Sequence, residues 1–207
     1  MRTAKIAAMA GAVALLALGA GQAAGAATGL PDGFLLYEAE AEGPREPWET
    51  WQVSDSLSRP LALNPCHVKR PWDGGRSQAR SVRYAAETEL RHEQVVVYRS
   101  ERAARAAMTG LRAQLKRCAK VGGKLGRDYD AYTYRWKGTG IGDESVRAGA
   151  RYFESAFRHV AVRRGKAVVV YAEDGSFTSK LKAGHFRGLE RDARKMAAKV
   201  CELPGVC

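Results

Sequence analysis

The chain has 207 residues, with 34 Lys plus Arg against 22 Asp plus Glu, a formal net charge of +12, and 45% hydrophobic residues. That apolar share suffices for a packed core and argues against wholesale disorder, while a mean hydropathy of -0.35 excludes a polytopic membrane protein. Seven prolines and four cysteines exclude a collagen-like chain and a densely cross-linked small peptide.

Residues 1–26 read as a secretory leader. Arg2 and Lys5 precede an apolar run from Ile6 to about Ala20, and Ala24-Gly25-Ala26 supplies the small side chains a signal peptidase admits. Cleavage is expected after Ala26, with Ala24 as the alternative, leaving residues 27–207 as one exported domain with a charge of +10. The run is short and rich in Ala and Gly, which speaks against a membrane anchor. No Cys follows it, which speaks against a lipoprotein.

The first predicted strand of the mature chain is Phe34-Leu35-Leu36-Tyr37, followed by an acidic stretch of Glu38, Glu40, Glu42 and Glu46 that reads as a solvated loop. Residues Trp48–Val53 are strand-compatible, and Leu57–Pro65, with two prolines, reads as loop. Strands are predicted at Ser81–Ala85 and Glu93–Arg99. At Ser100 the period changes to that of a helix: Ser100 is a capping residue, and Ala104, Ala107, Met108, Leu111, Leu115 and Cys118 form one apolar stripe, with Gly122-Gly123 as the stop. Tyr129–Trp136 alternates aromatic and polar residues. A turn at Gly138–Glu144 then leads to strands at Ser145–Ala150, Phe157–Arg163 and Ala167–Ala172. Arg163-Arg164-Gly165-Lys166 lies between two β-branched runs and predicts a hairpin, and Glu173–Ser176 predicts a turn. Phe186, Leu189, Ala193, Met196, Ala197 and Val200 mark a second amphipathic helix.

Four cysteines in an exported chain predict two bridges, and their spacing excludes a zinc ribbon. Three connectivities are open. The Pro204-Gly205 turn former favours Cys201 with Cys207, which leaves Cys66 with Cys118. The fold class is therefore α+β: an antiparallel sheet packed against two amphipathic helices and stapled by two disulfides.

Several of these segments carry a family resemblance. The order Cys66, Tyr84, Val95-Val96-Val97-Tyr98, Ser100 to Cys118-Ala119, Gly140-Ile141-Gly142-Asp143-Glu144-Ser145 and Val160–Val169 resembles actinobacterial secreted sensor-like domains. Among these, the chain resembles the extracellular sensor domain of the PknH-type serine/threonine kinases and the related exported proteins. The most specific pieces are the Gly-Asp-Glu-Ser turn and the Val-Arg-Arg-Gly hairpin after a cysteine-ended helix. The resemblance implies an antiparallel sheet on two helices, a cleft suited to a ligand, paired cysteines and a sensing role. It supplies no catalytic residue, and neither a kinase domain nor an anchoring span is read in this chain.

Motifs for catalysis are sparse. G-x-S-x-G, H-E-x-x-H, P-loop and dinucleotide patterns do not occur, and Gly138–Asp143 reads as a turn. The scattered His67, His92, His159 and His185 are expected to be surface or hydrogen-bonded residues, and Asp143 and Glu144 to stabilise a turn. No cofactor or metal is implied, and the exported, motif-poor chain argues against nucleic acid. Arg158, Arg163, Arg164 and Lys166 cluster around one hairpin, while Arg187, Arg191, Arg194, Lys195 and Lys199 follow the last helix. Guanidinium groups match phosphate and carboxylate geometry, so the four hairpin cations are the candidate contacts for an anionic partner. The expected function is a secreted, non-enzymatic ligand-binding or sensing module with a small or anionic envelope ligand and peripheral contact with cell wall or membrane surface. An exported hydrolase of unrecognised type is the alternative.

Overall fold

The computed structural model describes residues 29–122, 132–152, 155–176 and 182–207. The expected leader, Gly123 of the expected helix stop and residues 129–131 of the expected aromatic strand lie outside them. Among the described residues, eight strands form one antiparallel sheet in the order β1-β2-β3-β8-β7-β6-β5-β4. They are β1 Thr50–Ser54, β2 Arg76–Ala85, β3 Leu90–Tyr98, β4 Lys120–Val121, β5 Tyr132–Lys137, β6 Glu144–Tyr152, β7 Ser155–Arg164 and β8 Ala167–Ser176. The helices are α1 Glu38–Ala41, α2 Glu101–Arg117 and α3 Arg187–Lys199.

The two long helices cover opposite faces of the sheet. Leu189, Ala193 and Met196 of α3 share a core with Val95 and Val97 of β3, Val160 and Val162 of β7, and Val169 and Tyr171 of β8. Ala104, Met108, Leu111 and Leu115 of α2 share a second core with Val96 and Tyr98 of β3, Ala161 of β7, and Val168 and Val170 of β8. Successive side chains of a strand point to opposite faces, so a strand buried on both sides needs an unbroken apolar run. Val95-Val96-Val97 and Val168-Val169-Val170 are such runs, and they occupy the middle of the sheet.

Local chemistry sets the boundaries of α2. The Ser100 hydroxyl accepts from the Ala103 N–H, the expected cap, and Glu101 sits in the first turn where the helix dipole favours negative charge. The helix ends at Arg117, earlier than the expected glycine stop. Cys118 caps it, its N–H donating to the Gln114 carbonyl, and is bridged to Cys66 across 5.3 Å between Cα atoms. Cys201 and Cys207 form the second bridge, which closes the turn after α3.

Other expectations give way to tertiary contacts. Phe34–Tyr37 is not a strand: it leads by turns into α1, and the Leu36 and Tyr37 N–H groups donate to the buried Glu93 carboxylate of β3. Nor is the acidic stretch a solvated loop throughout. Glu38 is buried and pairs with Arg80 at 2.5 Å, and Glu40 pairs with Arg91 at 2.5 Å. Glu173–Ser176 continues β8 instead of turning, because β3 and β7 flank it on either side and extend its ladders through Asp174 and Ser176. The short β4 has no counterpart in the sequence reading; it pairs with the start of β5. Leu57–Pro65 is a loop as expected, fixed over the α2 face where Gln94 bonds the Ala62 N–H and the Pro60 carbonyl.

Candidate binding surface

The hairpin between β7 and β8 turns through Gly165 and Lys166. Gly165 has φ +54, and a Cβ there would stand 2.1 Å from the Val206 carbonyl, so both the turn and the C-terminal packing require glycine. Gly142 has a similar constraint, with φ +62 and the Arg163 carbonyl 2.6 Å from an added Cβ. That close approach brings the Asp143-Glu144 pair against the hairpin.

Asp143 accepts from the Gly165 N–H at 2.8 Å, from Arg163 at 3.0 Å and from Arg164 at 2.8 Å. Glu144 accepts from Arg163 Nε at 2.8 Å and from Arg112 of α2 at 2.5 Å. Burial alone would raise both carboxyl pKa values. The Gly165 N–H with Arg164 and Arg163 brings Asp143 below its ordinary value, and Arg112 with Arg163 does the same for Glu144. The adjacent carboxylates thus hold a hairpin to a loop and to α2. Replacing Asp143 with Ala leaves the Gly165 N–H and part of the buried Arg163 fork unpaired. The expected loss is about 2 kcal/mol of unfolding free energy, read as a lower urea midpoint at unchanged m-value. A midpoint within error of wild type would refute the role.

The four hairpin cations stand in different environments. Arg163 is 5% exposed and also donates to the Gly165 carbonyl. Arg164 is half-exposed beside Asp143. Arg158 lies six residues from Arg164, about 20 Å at strand rise, and pairs with Glu173 at 2.8 Å. Lys166 is partly exposed and has no carboxylate partner among the described residues. The sequence showed the arginines as neighbours; it did not show the carboxylates that sit opposite them some 20 residues away.

The larger free charge lies on α3. Its apolar stripe faces the core, which turns Arg187, Arg191, Arg194 and Lys195 outward, all exposed. They line a surface groove of ≈ 490 Å³ together with Glu190. Glu190 bonds Arg147 of β6 at 3.2 Å, and Arg191 bonds Asp192 of its own helix at 3.0 Å. Arg187, Arg194 and Lys195 have no carboxylate partner among the described residues. At the end of the helix Lys199 donates to the Phe34 carbonyl and packs over the Phe34 ring. The five groove residues come from one helix, so the groove is a trough between long side chains on a convex surface, suited to an extended or planar partner.

His159 is 7% exposed and His92 half-buried, and among the described residues neither His159 Nδ1 nor His92 Nε2 has a hydrogen-bond partner. Burial lowers both pKa values to about 4, helped at His92 by Arg83 and by His159 itself. Of the aromatic strand, Tyr134 is buried in the α2-side core, Tyr132 packs against it, and Trp136 is 41% exposed.

These features define a disulfide-bridged, three-layer α+β domain with an antiparallel sheet and one strongly basic helix face. Its structure is similar to the crystal structure of the extracellular domain of PknH from Mycobacterium tuberculosis. The TM-score is 0.49 and the sequence identity 15%, over 82% of this chain and 94% of that chain. No family model and no curated protein matches the chain. Among the described residues, no helix is long and apolar enough to cross a membrane, and no group of three or more His, Cys, Asp and Glu is placed to hold a metal ion.

Proposed function

We propose that the protein is an extracellular binding or sensing module whose α3 face engages an anionic component of the cell envelope. The observation that carries this reading is the exposed set Arg187, Arg194 and Lys195, which lack carboxylate partners among the described residues while the three hairpin arginines have them. Cations left unpaired on one convex face attract a polyanion or charged surface without the desolvation cost of a buried pair. Two formed bridges and no free cysteine support an oxidising compartment outside the cytoplasm.

The test is co-sedimentation of the oxidised protein with vesicles of anionic phospholipid and, separately, with a phosphate-bearing wall polymer. A triple charge reversal, Arg187→Glu with Arg194→Glu and Lys195→Glu, should weaken binding roughly a hundredfold at low salt and leave the thermal midpoint near wild type. Lys166→Glu separates the hairpin from the helix: it should weaken binding severalfold at most. Unchanged binding by the triple variant, or binding that resists moderate salt, would refute the charged-face reading.

A further inference from the structure

We propose that the α3-side surface of β5, β6 and β7 is an anion site for a phosphate group carrying two negative charges. The site goes beyond the α3 reading, because none of its cations belongs to that helix. Among the described residues, the core beneath α3 draws on β2, β3, β7 and β8 and takes nothing from β5 or β6. Tyr134 of β5 and Val146, Ala148 and Ala150 of β6 face the α2-side core, so alternation turns the odd-numbered residues of both strands to the α3 side. Arg135 and Lys137 of β5 and Arg147 and Arg151 of β6 are among them.

The register frames Gly149 of β6 with positive charge. Arg135 stands directly opposite it on one side and Arg158 of β7 on the other. Their backbones are about 10 Å apart across two strand spacings, with no side chain between them. Arg147 and Arg151 lie two positions before and after Gly149 on its own strand. Lys137 is directly opposite Arg147, a like-charge pair that opposes sheet stability. Two of the five cations have carboxylates: Arg147 pairs with Glu190 and Arg158 with Glu173, and Arg147 also packs over the Phe186 ring. Arg135, Lys137 and Arg151 are exposed and have no carboxylate partner among the described residues. The held guanidinium groups supply forks matched to phosphate oxygens, and the three unpaired cations supply the unbalanced charge. A dianion would bring the group close to neutrality and replace the repulsion between Lys137 and Arg147 with shared attraction. The same charges repel a metal cation.

A soluble phosphate ester and a phosphate-ended polymer share this chemistry. The experiment is calorimetric titration of the oxidised protein with inorganic phosphate and with glycerol phosphate, at mildly alkaline pH where both are dianions. Salt of about 0.15 M screens exposed charges more than roughly 8 Å away. The expected result is one saturable site per chain. Arg135→Gln with Lys137→Gln and Arg151→Gln should weaken it at least tenfold and leave the thermal midpoint at or above wild type, because a like-charge pair is removed. The neutral α3 variant, Arg187→Gln with Arg194→Gln and Lys195→Gln, should keep the affinity within about threefold, so this site and the α3 face fail separately. Displacement of glycerol phosphate by a phosphate-ended wall polymer supports the site with the polymer as source, and displacement by free esters alone supports it with a soluble source. No saturable uptake, equal affinity for sulfate as for an adventitious ion only, or unchanged affinity in the sheet variant would overturn the proposal.

Discussion

Replacing Glu93 with Ala is expected to lower the unfolding free energy by roughly 3–5 kcal/mol. The carboxylate is fully buried at the centre of β3 and accepts from the N–H groups of Leu36 at 3.0 Å and Tyr37 at 2.7 Å and from the Tyr171 hydroxyl. Burial raises its pKa, while the Tyr171 hydroxyl and the two backbone donors favour the ionised form. Removal strands three donors at once, two of them buried, and a buried donor costs about 1–3 kcal/mol when left without an acceptor. The loss has a local signature. Tyr37 is held at its other end by a bond to Asp192 of α3, so the Phe34–Ala41 segment should show faster amide exchange before the sheet does. Glu93→Gln keeps the volume and one acceptor and should cost about half as much. Denaturant unfolding that moves by less than about 1 kcal/mol in the alanine variant would remove Glu93 as the clamp of this segment.

The second large effect is expected from breaking the Cys66–Cys118 bridge. It joins residues separated by 52 positions, and loop-closure entropy puts its contribution at about 4 kcal/mol, against about 2 for the six-residue separation of Cys201 and Cys207. A Cys66→Ala/Cys118→Ala variant should therefore melt about 10 °C lower than wild type, and the Cys201→Ala/Cys207→Ala variant about half as far below. Native contacts reinforce the ranking. The longer bridge ties the end of α2 to the loop carrying the buried Leu61 and Leu63, and the shorter one fastens a turn already bonded from Lys166 to Val206. Equal melting shifts for the two variants would contradict the loop-length account.

Periodicity carried the reading of the elements whose burial is decided by their own sequence. α2 is legible because its stripe repeats over four turns behind a serine cap, and β3, β7 and β8 because β-branched runs suit strands buried on two faces. The pairing of the cysteines followed from a single turn former and elimination. What sequence could not show was decided between distant segments. Phe34–Tyr37 has a strand-like composition, but its donors go to a carboxylate 56 residues away. Asp174-Gly175 has a turn-like composition, but two neighbouring ladders hold it extended. The arginines around the hairpin were visible, and their carboxylate partners were visible, yet nothing in the linear order links Arg163 with Asp143 and Glu144. The assignment of α2 and α3 to opposite faces depends on strand order, which no local pattern encodes.

The shared wall between the two cores ties their packing together. β3, β8 and β7 present alternate side chains to the α3 side and the α2 side, so one rigid strand borders both compartments. A displacement of Val95, Val169 or Val162 in the α3-side core carries Val96, Val170 or Ala161 of the α2-side core with it, because each pair is adjacent on one backbone. The steric fit of these few valines therefore sets how closely the packing on one side depends on the packing on the other.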